Sequence, residues 1–285
     1  MNNILKNKLK DRIFGYLGIV ATLFGIVMLG IFLVNILIDG VGRLNLSFLS
    51  NLPSRFPGKA GILTAWTGTL WILLLTAIVA IPVGMGAGIY LEEYGKKNRL
   101  SNFLEINIAN LAGVPSIIYG ILGLEIFVRR LQLGGSLLSG SFTLALLILP
   151  IIIVVTRESI KAVPQSIRDA SYALGASKWQ TIQHQVLPAC MSNIITGIIL
   201  AMARAIGETA PLIVIGALAY VPFIAKSPMD EFTVLPIQIF NWISRPQHGF
   251  IVNAAAAIII LLIITFFMNG IAIYMRNRWQ KRSGA

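Results

Sequence analysis

Six long apolar stretches alternate with polar segments along this chain. An α-helix needs about 20 predominantly apolar residues to cross the hydrocarbon core of a bilayer, and each stretch is close to that length or longer. The pattern therefore predicts an all-α integral membrane protein with six transmembrane helices. We place these helices at about residues 13–38, 62–91, 104–127, 142–160, 189–217 and 251–275.

The first apolar stretch stands apart from the others. It is too long for the core of a signal peptide and has no clear cleavage site, so we expect it to be retained as a span. We accordingly divide the chain in two. Residues 1–61 would hold the N-terminal cytoplasmic segment, the first helix and an outer loop, and residues 62–285 would form the helical core.

The polar segment 157–188, between the fourth and fifth stretches, is unusually long and regular for a connection between spans. Ala170, Ala173 and Leu174 follow the i, i+3, i+4 spacing of one helix face. Gly175 then ends that helix, and a second amphipathic stretch continues to Leu187-Pro188. We interpret the segment as two short helices that dock a soluble partner.

Basic residues are distributed unevenly between the two predicted sides of the membrane. Only 12% of the residues are charged, against about 25% in soluble domains. With the N-terminus inside, inner segments hold 15 Lys and Arg, outer loops hold 7, and Arg204 lies in a span, which accounts for all 23. The positive-inside rule thus places both termini and loop 157–188 in the cytoplasm. The net charge of +12 then reflects topology rather than a nucleic-acid partner.

The motifs of an enzyme are missing from the sequence. No GxxxxGK[ST] loop occurs, so the chain should not bind or hydrolyse ATP itself. There is no HExxH motif or Cys/His cluster, and His184 and His248 fall on opposite predicted sides, which argues against a metal site. The single cysteine, Cys190, is interpreted as a small packing residue. The sequence therefore gives no support for an enzyme, and we expect no cofactor in this chain.

Two ionisable residues lie inside the fifth predicted span. Arg204 and Glu208 are four residues apart, so they would share a helix face and can pair. Charges at membrane depth are costly and usually face an interior pathway, where Arg204 could attract an anion and Thr209 would add a hydroxyl. The alternative is a self-neutralising pair that only locks helix packing. Pro211 is expected to bend this helix close by.

Proline and glycine mark two other spans. Pro115 in the third span predicts a bend, which either accommodates packing or shapes a pathway. In the second span Pro82 is followed by Gly84, Gly86 and Gly88. Their apolar flanks favour close helix packing over a nucleotide-binding loop.

The outer segment 218–250 is long and partly apolar. Within it, residues 233–243 are predicted to form a short helix with Pro236 in its first turn. Trp242 is expected at the membrane interface. Because this helix is too short to span, we expect an interfacial or re-entrant element.

Loop 157–188 resembles the signature of ABC-importer permeases, which reads EAA, three residues, Gly, nine residues, Ile, one residue and Leu-Pro. Here it stands as Asp169-Ala170-Ser171, Gly175, Gln185 and Leu187-Pro188, with Asp for Glu, Ser for Ala and Gln for Ile. The resemblance implies that the loop forms coupling helices seated in a cleft of an ATP-hydrolysing subunit. The implied contact residues are Asp169, Ala170, Ser171, Gly175, Ala176, Ser177, Lys178 and Trp179.

Four further segments are similar to the PstA-type phosphate permeases: LAGVPSIIYG, GASKWQTIQHQVLPA, ARAIGETAPL and TVLPIQIFNW. This similarity implies a type I importer fold in a bacterial cytoplasmic membrane, with Arg204, Glu208 and Thr209 on a phosphate pathway. It also implies partners, namely a PstC-like sister permease, two PstB-like ATPase subunits that bind ATP and Mg, a periplasmic PstS-like phosphate-binding protein, and membrane lipid. A permease for another oxyanion stays open, as does an ATP-independent secondary carrier or channel.

Overall fold

The computed structural model describes residues 2–96, 98–217 and 220–283, and the fold of these residues is helical, as predicted. The helices are α1 (Asn2–Gly40), α2 (Leu46–Ser50), α3 (Leu63–Ile89), α4 (Arg99–Leu111), α5 (Ser116–Gly123), α6 (Leu137–Lys161), α7 (Gln165–Ala173), α8 (Lys178–Thr181), α9 (Leu187–Gly207), α10 (Ala210–Val214), α11 (Leu235–Ile243) and α12 (His248–Ser283). A 3-10 turn, Val41–Arg43, follows α1. Three helices are extended by π-helical turns, which are Tyr90–Tyr94 after α3, Leu124–Arg130 after α5 and Ile182–Val186 after α8.

Five helical stretches among the described residues are long and apolar enough to cross a membrane. They are Asn7–Arg43, Leu63–Tyr94, Leu137–Lys161, Lys178–Gly207 and His248–Trp279. The predicted third span consists instead of α4 and α5 with its π-helical extension, bent by 104° at the junction. If this bent pair crosses as one element, the number of spans is the predicted six.

The bend in the third span lies at Pro115. This residue has φ −54° and ψ 135° and precedes the first residue of α5. Proline lacks a backbone N–H, and it disfavours the helical conformation of the residue before it. A helix that ends at Leu111 therefore cannot continue directly through Val114 and Pro115, and the chain changes direction there.

The predicted fifth span, residues 189–217, is wrong at both ends. The helix begins earlier, at Lys178, and it stops at Gly207. Glu208 then has an extended backbone, with ψ 126°, before the short helix α10. Pro211 explains the stop, because its ring would clash with the carbonyl of Gly207, four residues earlier, if the helix continued.

Helix α3 packs along α6 through small residues. A Cβ atom on Gly84 would lie 2.7 Å from Cγ2 of Ile152, and one on Gly88 would lie 2.7 Å from Cβ of Thr156. Both distances are below van der Waals contact, so only glycine permits this approach. The predicted close packing is confirmed at these two positions, whereas Gly86 has no such neighbour within 4 Å.

Helix α6 occupies the centre of the bundle, where it contacts α3 and α9, and α12 packs against α9. The α6 side chains of Leu144, Ile148 and Ile152 are at most 1% exposed and belong to the largest apolar cluster. The start of α6 is fixed by the outer segment, because the N–H of Leu137 donates to the carbonyl of Asp230 at 3.0 Å. This bond satisfies one of the free N–H groups at the helix start.

A turn in the outer segment is closed by the side chain of Asp230. Its Oδ2 accepts the backbone N–H of Lys226 at 2.8 Å and that of Ser227 at 2.9 Å. These two bonds lower the pKa of the Asp230 carboxyl, since they favour its charged form.

The short helix predicted within residues 233–243 is present as α11, with Pro236 in its first turn. The Trp242 side chain is 1% exposed, so it packs inside the protein and does not face the headgroups, and its depth at the membrane interface stays a prediction. The indole lies between Phe48 and Phe250, with ring centroids 6.0 and 6.3 Å away. Three elements, α2, α11 and α12, thus enclose the indole in a second apolar cluster.

Helix α1 contacts the bundle near its C-terminal end. Ile36 joins Ala255 and Ile259 of α12 in a small buried cluster, and a Cβ atom on Gly40 would lie 2.7 Å from the backbone N of Ala256. The apolar part of α1 ahead of this contact is exposed along its length. The division of the chain at residues 61 and 62 stays a prediction.

Candidate functional site

The charge pair lies where α9 ends. Arg204 is in the last turn of α9, and Glu208 follows its final residue, Gly207. Arg204 Nε and Glu208 Oε1 are 3.6 Å apart, which makes an ion pair but is too long for a hydrogen bond. The two side chains therefore pair as expected, although Glu208 lies just beyond the helix rather than on its face.

Arg204 also reaches the bend of the third span. Its Nη1 atom donates to the carbonyl of Ala112, directly after α4, at 3.4 Å. On the other side of the bend, the Tyr119 hydroxyl donates to the carbonyl of Leu111 at 2.8 Å. The Arg204 side chain keeps 36% of its surface exposed. A guanidinium held this loosely can offer parallel N–H donors to an oxyanion.

The breaks in the third and fifth spans adjoin each other, because α5 packs against α10. A Cβ atom on Gly120 would lie 2.7 Å from Cα of Pro211, so the two short helices touch through their backbones. Thr209 directly precedes α10 and is partly buried. The structure thus brings together five residues singled out from the sequence: Pro115, Arg204, Glu208, Thr209 and Pro211.

The first half of loop 157–188 forms a short helix followed by a sharp turn. Helix α7 ends at Ala173, and Gly175 has φ +81°. This left-handed conformation is free of strain for glycine but not for residues with a Cβ atom. Ser177 then begins α8 with a capping box, in which its Oγ accepts the N–H of Gln180 and its own N–H donates to the Gln180 side chain.

The second half of the loop differs from the expectation of a separate short helix. Helix α8 continues through the π-helical turn Ile182–Val186 directly into α9, so it is the beginning of the fifth span. The π-helical turn accommodates Pro188, whose ring would clash with the preceding turn of a regular α-helix.

The apolar face of α7 and the turn is not covered by the described part of this chain. Leu174 is 90% exposed and Trp179 is 53% exposed. The Ser171 and Thr181 hydroxyls hydrogen-bond at 2.9 Å, which ties α7 to α8. Of the predicted coupling residues, Asp169, Ala170, Gly175, Ser177, Lys178 and Trp179 are exposed, and Ser171 and Ala176 are partly buried.

Arg168 anchors α7 to the bundle, a role that the sequence does not reveal. Its side chain is 10% exposed, and Nε and Nη2 donate to Glu93 Oε1 at 3.2 and 3.0 Å. Nη1 and Nη2 also donate to the carbonyls of Val163 and Ile160, at 2.7 and 3.0 Å. Lys178 adds a contact with the Glu93 carbonyl. The Glu92-Glu93 pair directly after the second span was the available signal in the sequence.

Arg157 forms a second link to the same acidic pair, through Glu92 instead of Glu93. Its Nε donates to Glu92 Oε2 at 3.0 Å, and its Nη1 pairs with Glu105 Oε1 of α4. One guanidinium near the C-terminal end of α6 therefore joins the turn after α3 to the middle of α4.

Residues 80–281 match the family described as the inner membrane component of binding-protein-dependent transport systems. The chain belongs to this family. It is therefore a multi-pass inner-membrane permease subunit rather than an enzyme, and it works in a complex with a substrate-binding protein and an ATPase. Within the described residues, no group of three or more His, Cys, Asp or Glu side chains is placed to hold a metal ion.

Several curated permeases are similar along most of the chain. YqgI of Bacillus subtilis, a probable ABC transporter permease, is 32% identical over 252 residues, 85% of this chain and 84% of YqgI. The phosphate transport system permease PstA of Yersinia pestis is 37% identical over 205 residues, 72% of this chain and 69% of PstA. PstA of Haemophilus influenzae is 31% identical over 230 residues, 81% and 80% of the two chains.

Solved ABC importers share the fold. The inward-facing methionine transporter MetNI gives a TM-score of 0.59 at 14% identity, covering 76% of this chain and 95% of that one. A bacterial alginate importer also gives 0.59, at 12% identity, covering 79% and 80%. These similarities confirm the predicted type I importer permease fold.

Proposed function

We propose that this chain is the permease subunit through which an ATP-driven importer moves inorganic phosphate across the cytoplasmic membrane by alternating access. One observation carries the choice of an anionic substrate: Arg204 presents a partly exposed guanidinium where two broken spans adjoin. Broken helices at membrane depth are where transporters place their substrate sites. The similarity to the PstA phosphate permeases supports phosphate among the oxyanions.

The surroundings of Arg204 suit weak and reversible binding. Its contacts with Ala112 and Glu208 are long, 3.4 and 3.6 Å, so a phosphate oxygen can compete for the same N–H donors. Glu208 could accept a hydrogen bond from a protonated phosphate, and Thr209 would add a hydroxyl. Conduction requires a site that binds well enough to admit the ion but weakly enough to release it.

The exposed face of α7 supports a docking role for the coupling loop. Leu174 and Trp179 expose apolar surface beside the Gly175 turn, and such surface commonly marks a protein interface. In the proposed complex two PstB-like ATPase subunits bind ATP and Mg and receive this face in a cleft. A PstC-like sister permease completes the pathway, and a PstS-like protein delivers phosphate from outside.

Substrate competition tests this assignment. In right-side-out vesicles that carry the complex, enclose ATP and receive the phosphate-binding protein outside, we expect uptake of labelled phosphate that requires ATP and is competed by unlabelled phosphate but not by equal sulfate or molybdate. Equal competition by sulfate would indicate a permease for another oxyanion. Uptake that needs no ATP, with no ATPase co-purifying, would indicate a secondary carrier or channel.

The proposed orientation places both termini and loop 157–188 in the cytoplasm, as the charge bias suggests. In a Cys190→Ala background, we expect Ser244→Cys to react with an impermeant thiol reagent in intact cells. Ser177→Cys, at a position that is also exposed, should react only after permeabilisation. The reverse pattern would show that the orientation is inverted.

A further inference from the structure

We propose that Glu105 is a positioning residue through which α4 transmits movement of the coupling helix α7 to the Arg204 site. The inference rests on the proposed function, since it assigns a route between the ATPase-facing loop and the proposed anion site. Two observations carry it. Glu105, in the middle of α4, is tied to the group of charges that holds α7, and the carbonyl of Ala112, directly after the last residue of α4, accepts a hydrogen bond from Arg204.

The route begins at the acidic pair on the π-helical turn after α3. Glu93 forms an ion pair with Arg168 of α7, and Glu92 forms one with Arg157 of α6. All four side chains are at most 18% exposed. Removing one partner of such a buried pair is costly, so the two links hold α7, α3 and α6 in one arrangement. A displacement of α7 therefore acts on the end of α3 and on Arg157.

Arg157 extends this arrangement to α4 by pairing with Glu105 as well as with Glu92. Few other contacts within the described chain hold α4, because most of its described side chains are exposed, Phe103 at 61% and Ile106 at 60% among them. Its contact with the bundle runs along α6, on which Arg157 lies. The pair between Arg157 and Glu105 is therefore well placed to set the position of α4.

The C-terminal end of α4 lies at the proposed anion site. Glu105 and Ala112 are seven residues apart, which is about two helical turns and about 10 Å, so they lie on nearly the same face. The carbonyl of Ala112 accepts from Arg204, and that of Leu111 accepts from Tyr119. A shift of α4 would thus lengthen or shorten the Arg204 contact and change how many N–H donors face the substrate.

Glu105→Gln tests the route, since it keeps the size of the side chain but removes the charge. In the purified complex we expect complex yield and ATPase activity within about twofold of the wild type, with anion uptake per ATP hydrolysed reduced about tenfold, an effect within the usual range of coupling between sites. Glu105→Asp should recover part of the ratio. The matched control is Glu125→Gln, which removes an equally polar carboxylate from an exposed ion pair with Arg129 and Arg130.

A double variant decides whether the effects share one route. Adding Arg168→Gln to Glu105→Gln should lower the ratio no further than the stronger single variant. A normal ratio in Glu105→Gln, independent effects in the double variant, or an uptake loss matched by an equal loss of complex would each overturn the inference. If the wild-type complex carries another oxyanion, the ratio of uptake to ATP hydrolysis is measured with that ion. A wrong substrate assignment is thereby distinguished from a wrong role for Glu105.

Discussion

Arg204→Gln is expected to abolish or sharply reduce phosphate uptake in a complex that still assembles. The variant keeps a polar side chain with some hydrogen bonding, although a shorter one, and removes the positive charge and the planar fork. Assembly should survive because the Arg204 side chain is 36% exposed and its contacts are long. Removing the Arg204 guanidinium therefore destabilises the fold by less than the about 3–5 kcal/mol lost when one partner of a fully buried ion pair is removed. The measurement is labelled-phosphate uptake normalised to complex yield.

Arg204→Lys serves as the control for charge. Lysine restores the positive charge as a point donor without the fork, so we expect partial uptake between that of the wild type and that of Arg204→Gln. Equal uptake in the wild type and in Arg204→Gln would exclude this side chain from the substrate pathway.

Gly175→Val is expected to eliminate transport and weaken ATPase association while leaving membrane insertion intact. The Gly175 backbone has φ +81°, and a β-branched residue there costs about 1–3 kcal/mol of strain. No heavy atom lies within 4 Å of the position of its Cβ, so the effect would come from the backbone and not from a steric clash. The turn would change and displace Leu174 from the docking face. Co-purification of the ATPase and uptake are the readouts.

Gly270→Val on α12 is the matched control, because that position also has no heavy atom within 4 Å and its φ is not positive. It should leave both readouts near the wild-type level. Wild-type uptake in Gly175→Val would mean that this turn does not form the coupling contact.

Local patterns were sufficient to predict much of the fold. Apolar length located the spans, and the missing N–H of Pro115 located the bend of the third one. The small side chains of Gly84 and Gly88 indicated the packing of α3 on α6. Each of these predictions depends on residues close together in sequence, where chain geometry leaves few alternatives.

The errors arose where hydrophobicity and local structure diverge. Residues after Gly207 remain mostly apolar, so averaged hydropathy extends the fifth span beyond Gly207, where Pro211 prevents α9 from continuing. Trp242 has the amphipathic side chain of a residue that contacts lipid headgroups, but α2 and α12 bury it. Composition carries no information on which distant elements enclose a side chain.

The contacts that join the coupling loop to the Arg204 site could not be predicted from the sequence either. Arg168 and Glu93 are 75 residues apart, and Arg204 and Ala112 are 92 apart. Sequence spacing pairs charges only within one helix, so it identified Arg204 with Glu208 but not the carbonyl of Ala112. A single sequence identifies the charged residues without the partners that tertiary packing gives them.

The central claim, that Arg204 acts on the substrate and does not merely lock α9, is tested most directly by the double variant Arg204→Gln with Glu208→Gln. This variant removes both charges, so neither side chain is left unpaired. Phosphate uptake and complex yield are measured together for the double and both single variants. The account predicts normal yield with uptake as low as in Arg204→Gln alone. Full uptake in the double variant would contradict it and leave the pair as a packing element.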